Sequence, residues 1–331
     1  MEEIRIQETR QEKPKKDRKK LLIWLIAIIV IGIVGFLLFQ NRGGSLSKLF
    51  NSSEFIQFAV ADKSYAYSYQ EEGKFKVDIN GKIVGPYESI IYLAVSNSSY
   101  GFSYFKDGKA YVNIKGKENG PYSDVMLLSV ADKNYGFAYF DQGQRYVKIK
   151  DKVYGPYDNV TALAVSNKNF AFVYQKDNAY RVNISGEEFG PYNDPIFYLS
   201  VSDTNYGFSY FKDGKMEIKT KNKNFGPYDD VSKISVSNKS IGFSYFDRNT
   251  SQWSANINDK IIGSYDTVSE LMVSDSSYGF IYQKDGKWYV QREERTYGPY
   301  DMANRLFAFD NNFGYAYQES GGLYFSLNPK K

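Results

Sequence analysis

The chain has 331 residues, with 42 Lys and Arg against 38 Asp and Glu, and Phe, Trp and Tyr make up 18% of it. It contains no cysteine and no histidine, which excludes a disulfide frame, thiolate nucleophiles, Cys/His zinc sites and a Ser-His-Asp relay. Carboxylate, hydroxyl and backbone chemistry remain, and an exported chain without cysteine points to a bacterial source.

Residues 1–20 hold eight Lys or Arg and five acidic residues, so the rest of the chain, with 34 basic and 33 acidic residues, is close to neutral. A nucleic-acid partner is therefore not expected. Residues 21–39, LLIWLIAIIVIGIVGFLLF, form an uncharged run of 19 residues, long enough as a helix to cross a hydrocarbon layer of about 30 Å. The preceding KPKKDRKK is strongly basic and the residues that follow are not, which predicts a single-pass type II protein with a cytoplasmic N-terminus. The predicted order is a basic cytoplasmic tail (1–20), a transmembrane helix (21–39), a small and polar linker (40–49) and an extracellular repeat domain (50–331).

Within that domain a Gly-Pro-Tyr element recurs at Gly85, Gly120, Gly155, Gly190, Gly226 and Gly298, with Gly-Ser-Tyr at Gly263. The spacings are 35, 35, 35, 36, 37 and 35 residues, and a fixed period of this kind means repeat architecture. Each unit reads as three strands before the Gly-Pro-Tyr element, as in YLAVSN, YGFSYF and AYVNIK with a KDGK turn between the last two. Asp-Gly in that turn suits a type I′ hairpin. The first strand is almost wholly apolar and is expected to be the most enclosed, while the third alternates, as in Ala110, Val112 and Ile114. A short fourth strand is expected to approach Gly-Pro, which is read as a turn closing the unit.

Four antiparallel strands per unit describe a propeller blade. The expected fold is all-β, a β-propeller of about eight short four-stranded blades of 35–37 residues behind the transmembrane helix, with seven blades or an open β solenoid as alternatives. The eighth unit ends after its third strand, and SKLFNSSEF at 47–55 is expected to supply the missing outer one.

The unit VSNSSYGFSYFKDGKAYVNIKGKENGPYSDV resembles bacterial WD-like or TolB-like propeller repeats, with WG-type repeats as a second resemblance through pairs such as Tyr100-Gly101. Either resemblance implies binding or scaffolding more than catalysis.

Three sets of residues are candidates for function. Asp62, Asn97, Asp132, Asn167, Asp203, Asn238, Asp275 and Asp310 each end a first strand; they are read as turn formers that accept backbone N–H groups, with a cation-holding rim as the alternative. The repeat tyrosines Tyr87, Tyr122, Tyr157, Tyr192, Tyr228, Tyr265 and Tyr300 are read as packing between blades. Tyr111, Tyr146, Tyr289 and Tyr324 lie in the outward register of the third strand, as stacking surfaces for a sugar or peptide or as cross-strand partners. Acidic pairs such as Asp229 and Asp230, Glu187 and Glu188, or Glu293 and Glu294 are read as solvated turns, because neighbours on a strand face opposite ways. No catalytic residue, metal site or cofactor is assigned. The expected function is an extracellular protein-, peptide- or glycan-binding module of the cell envelope; a carboxylate-dependent hydrolase and a purely structural component are the alternatives.

Overall fold

The computed structural model describes residues 55–310, 312–320 and 322–327. The apolar run at 21–39 lies outside them, as does the segment expected to complete the eighth unit, except for Phe55, which begins the first strand of the domain. No helix among the described residues is long and apolar enough to cross a membrane.

The described chain folds into eight antiparallel sheets, each built from consecutive strands in sequence order. We call them blades 1 to 8: residues 55–87, 89–122, 124–157, 159–192, 199–228, 230–265, 267–300 and 302–327. Seven have four strands, and blade 8 has three among the described residues. The first strands of successive blades contact one another and line a central channel. Asn312 of blade 8 donates a hydrogen bond to Asp62 of blade 1 (3.1 Å), which closes the circle. The described residues thus form an eight-bladed propeller rather than a seven-bladed ring or an open solenoid.

Hairpin chemistry follows the sequence. In the KDGK turn of blade 2, Asp107 and Gly108 have φ of 52° and 68°, the paired positive values of a type I′ turn. At the channel end, a backbone bond such as Ser96 N–H to Ser99 O (2.8 Å) closes the turn from first to second strand.

Burial corrects one expectation. The second strand, not the first, is the most enclosed: in blade 2 Gly101, Phe102, Ser103 and Tyr104 are all buried, whereas most of the first strand is only half-buried. The first strand borders the channel, while the second is covered by a blade on each face and a strand on each side. Its residues alternate between those neighbours, so Phe102, Phe137, Phe172, Phe208, Phe243, Phe280 and Phe313 all reach 0% exposure.

The core is accordingly divided among the seams between blades. In the seam between blades 2 and 3, Ala110, Val112 and Ile114 of one third strand meet Val125, Phe137 and Tyr139 of the next blade. Equivalent clusters fill the other seams from 1/2 to 7/8.

The Gly-Pro-Tyr element is also placed differently from the expected terminal turn. It lies inside the fourth strand, as in Lys82–Tyr87, where the register to the third strand shifts between Phe75 and Val77. The bulge carries a cis Gly-Pro bond at all six Gly-Pro sites, and Gly120 adopts φ of 129°, which only glycine occupies readily. The prolines stand exposed on the outer edge while the following tyrosine turns into the seam.

Candidate binding surfaces

The channel mouth is lined by all eight strand-ending Asp and Asn residues around a cavity of about 470 Å³. Their side chains bond across the seams and not within their own turns. Lys63 N–H of blade 1 donates to Asn97 of blade 2 (3.1 Å), Ser98 N–H to Asp132 (2.7 Å), Lys133 N–H to Asn167 (3.0 Å) and Lys168 N–H to Asp203 (3.0 Å). Thr204 Oγ1 reaches Asn238 Oδ1 (3.5 Å) as well as the Asn238 main-chain oxygen (2.9 Å), Lys239 N–H reaches Asp275 (3.1 Å) and Ser276 N–H reaches Asp310 (3.2 Å). With Asn312 to Asp62, each seam has at least one such bond.

An amide oxygen accepts as well as a carboxylate does, so Asn and Asp alternate freely here. Burial alone would raise the Asp132 carboxyl, but hydrogen bonds from Ser96 and Ser98 outweigh it and hold the group below the usual range. Burial likewise opposes, and bonds from Ser237, Asn238 and Lys239 reverse, the shift of Asp275. These acceptors are thus engaged by the protein itself, and no cluster of three or more metal-ligating side chains occurs among the described residues.

The repeat tyrosines occupy the seams. Each ring leans on two second-strand aromatic rings of the next blade, a Phe and a Tyr except at Tyr300, which meets Tyr315 and Tyr317: Tyr87 lies 4.3 Å from Tyr104 between ring centroids, Tyr122 4.2 Å from Tyr139, and Tyr157 4.1 Å from Tyr174. Tyr192 is 4.8 Å from Tyr210, Tyr228 4.4 Å from Tyr245, Tyr265 4.0 Å from Tyr282 and Tyr300 4.2 Å from Tyr317. Burial pushes the phenols of Tyr122, Tyr157, Tyr228 and Tyr265 up to about 12.

The third-strand tyrosines extend these pairs into stacks. Tyr111 sits opposite Tyr104 in the ladder with centroids 5.7 Å apart and planes 19° off parallel. Tyr146 stacks on Tyr139 (5.4 Å), Tyr289 on Tyr282 (5.3 Å) and Tyr324 on Tyr317 (5.3 Å). The outer-strand glycine makes room for the ring, since a Cβ on Gly120 would come within 3.0 Å of Tyr111 Cδ1. Three of the four are half-buried and only Tyr324, at 47%, is exposed, so their geometry is that of cross-strand partners. Trp253 and Trp288 likewise pack against seam clusters.

The acidic pairs are dispersed. Asp229 is held by Lys215 (2.5 Å) and by Arg248 N–H (2.8 Å), which lower its carboxyl, while Asp230 accepts the N–H of Val231 (2.7 Å). Glu188 accepts the Tyr174 hydroxyl (2.6 Å), and Glu294 pairs with Lys260 (2.7 Å). None of these pairs is arranged as two free acids.

No protein-family profile matches the sequence, and no characterised protein matches it either. Solved structures do. The β-propeller domain of the Trilobed protease from Pyrococcus furiosus aligns at 10% identity over 75% of this chain and 97% of that one, with a TM-score of 0.48. Pyrococcus horikoshii acylaminoacyl peptidase gives 9%, 80% and 58%, with a TM-score of 0.45. The CRINKLY WD40 ectodomain of an Arabidopsis thaliana receptor kinase gives 8%, 83% and 99%, with a TM-score of 0.43.

One further surface has no counterpart in the sequence pattern. A cleft of about 440 Å³ opens in seam 1/2, walled by Pro86, Tyr87 and Tyr104 and bearing Lys74, Lys106 and Glu118. Glu118 accepts the Tyr104 hydroxyl, and Glu88 at the other side receives Asp107 N–H (3.2 Å). Its two lysines and two glutamates balance, and aromatic rings form part of its wall. The repeat pattern conceals such a site because it arises from what two adjacent units fail to fill.

Proposed function

We propose that the protein is a type II membrane-anchored propeller of the cell envelope that binds a neutral glycan or a peptide outside the cell, without catalysis of its own. The observation that carries this reading is the division of labour among its polar and aromatic groups. Side chains that recur from blade to blade, the rim Asp or Asn in all eight and the repeat tyrosine in seven, are engaged in the seams. Recognition is left to places where adjacent blades differ, and the charge-balanced, aromatic-walled cleft of seam 1/2 is such a place. Residues 21–39 and the basic run before them support the anchor and its orientation.

The test is binding of the full-length protein, reconstituted in vesicles, to a panel of neutral glycans and peptides, alongside the variants Glu118→Ala and Lys106→Ala. Saturable binding weakened about tenfold in both variants, or about 1.4 kcal/mol each, is expected. Binding unchanged by both variants removes the cleft from the reading. Protease treatment of intact cells checks the topology: protection of the repeat domain refutes an extracellular location.

A further inference from the structure

Two positions differ from blade to blade in step with each other. The residue two places after the rim Asp or Asn is Asn134, Asn169, Asn205 and Asn312 in blades 3, 4, 5 and 8, but Ser64, Ser99, Ser240 and Ser277 in blades 1, 2, 6 and 7. The third-strand residue opposite the second-strand tyrosine is tyrosine in blades 2, 3, 7 and 8. In blades 1, 4, 5 and 6 it is Lys76, Arg181, Glu217 and Ser254.

Assigned to seams, the two sets do not overlap. Asn134 donates to Asn169 O (3.1 Å) across seam 3/4, Asn169 to Ser202 O (2.9 Å) and Asp203 O (2.8 Å) across 4/5, and Asn205 to Ser237 O (2.9 Å) and Asn238 O (3.0 Å) across 5/6. Asn312 crosses seam 8/1 to Asp62. Among the described residues those four seams carry no third-strand tyrosine opposite the second-strand one. The serines at the same position make no hydrogen bond across their seams among the described residues, and their partners in seams 1/2, 2/3, 6/7 and 7/8 are Tyr111, Tyr146, Tyr289 and Tyr324.

We infer that every seam of this ring is fastened by one of two interchangeable devices, an asparagine clasp at the channel mouth or a third stacked tyrosine on the outer strands. The two positions belong to different hairpins at different radii of the blade, so no direct contact forces one to exclude the other. What they share is the stability of a single seam. A serine is too short to span the clasp, and its seam carries the extra ring instead; where asparagine spans it, the outer position is free to take lysine, arginine, glutamate or serine. In a closed ring the weakest seam sets where opening begins, so each seam needs one device and gains little from two.

The test is a pair of swaps in the full-length protein, read by thermal melting. At seam 5/6, Asn205→Ser is expected to lower Tm by about 2–6 °C through loss of two hydrogen bonds, and adding Ser254→Tyr to recover at least half of the loss. At seam 2/3, Tyr146→Ser is expected to lower Tm comparably and Ser99→Asn to recover it. Near-ultraviolet circular dichroism reports whether the added tyrosine stacks. Recovery at either seam supports interchangeability. If both double variants melt no higher than their destabilised single variants, the inference is overturned. A Tm left unchanged by both single variants overturns it as well.

Discussion

Replacing Tyr265 by alanine tests whether the repeated Gly-Pro-Tyr element fastens the ring. Tyr265 is 8% exposed, and its ring lies 4.0 Å from Tyr282 and 5.8 Å from Phe280 of the next blade. Truncating a buried aromatic side chain costs about 3–5 kcal/mol. Its hydroxyl makes no hydrogen bond among the described residues, so Tyr265→Phe should stay within about 0.5 kcal/mol of the parent at neutral pH. The two variants separate under alkali. Burial, reinforced by Tyr282 and Tyr278, raises the Tyr265 phenol to about 12 from its ordinary 10.0. The folded state therefore keeps a proton that the unfolded chain has released, and the associated stability, whole below about pH 10, is lost as pH rises through the folded value. A displacement of this size corresponds to about 2–3 kcal/mol in full, of which about 1.4 kcal/mol is lost by about pH 11, and Tyr265→Phe removes that alkaline loss. Urea unfolding by far-ultraviolet circular dichroism at about pH 8 and about pH 11 measures both effects. Equal unfolding midpoints for Tyr265→Ala and Tyr265→Phe at the lower pH would refute the fastening role.

Three other perturbations have distinct outcomes. Gly242→Ala would set a Cβ 2.6 Å from Val273 Cγ1 and 2.8 Å from Leu271 Cδ2 in the next blade, costing about 1–3 kcal/mol. Gly136→Ala meets chiefly the flexible tip of Ile149 (2.6 Å) and, like the natural Ala66 and Ala171 at this position, should be nearly neutral; equal melting of the two variants contradicts the packing argument. Asp132→Ala removes the acceptor for Ser98 N–H and should cost about 1–2 kcal/mol, while Asp132→Asn should retain most of it. Because the Asp132 carboxyl is depressed in the fold, its contribution is present above the ordinary value of 3.8 and lost as pH falls through the folded one, so acid titration of stability should be shallower in Asp132→Asn. Ending the chain at residue 311 deletes strands two and three of blade 8 and the Asn312 bond, and should unfold the whole domain in a single transition; a remainder that melts like the parent would contradict ring closure.

Much of the fold is legible in the sequence because the period is nearly constant and each strand keeps one pattern. The alternation of Ala110, Val112 and Ile114 marks a third strand with one buried face, and Asp-Gly marks its turn. Relative burial is not legible in the same way, because apolar content does not separate a strand bordering a channel from one enclosed on both faces; Gly101 and Ser103, small and weakly apolar, are more buried than Leu93. The rim residues look local in the sequence because Asp and Asn commonly cap their own turns, whereas curvature of the ring brings the preceding blade's N–H closer. The asparagine clasp leaves a signal, four Asn and four Ser at one repeat position, but its meaning depends on which seam each faces. The cleft of seam 1/2 leaves no such signal, since it depends on how two particular units meet.

The placement of Gly-Pro inside six of the seven described outer strands has a consequence for how copies of this chain keep apart. An outer strand offers unpaired N–H and C=O groups to any strand that drifts beside it, including the outer strand of another copy. Proline supplies no N–H, and the bulge breaks the straight register that edge-to-edge pairing needs. Six of the seven described fourth strands carry this interruption, with the proline exposed, while at Gly263 the following Ser264 keeps its N–H. The dipeptide that marks the repeat is thus also a guard against self-association, and among the described fourth strands that of blade 6 is where the guard is thinnest.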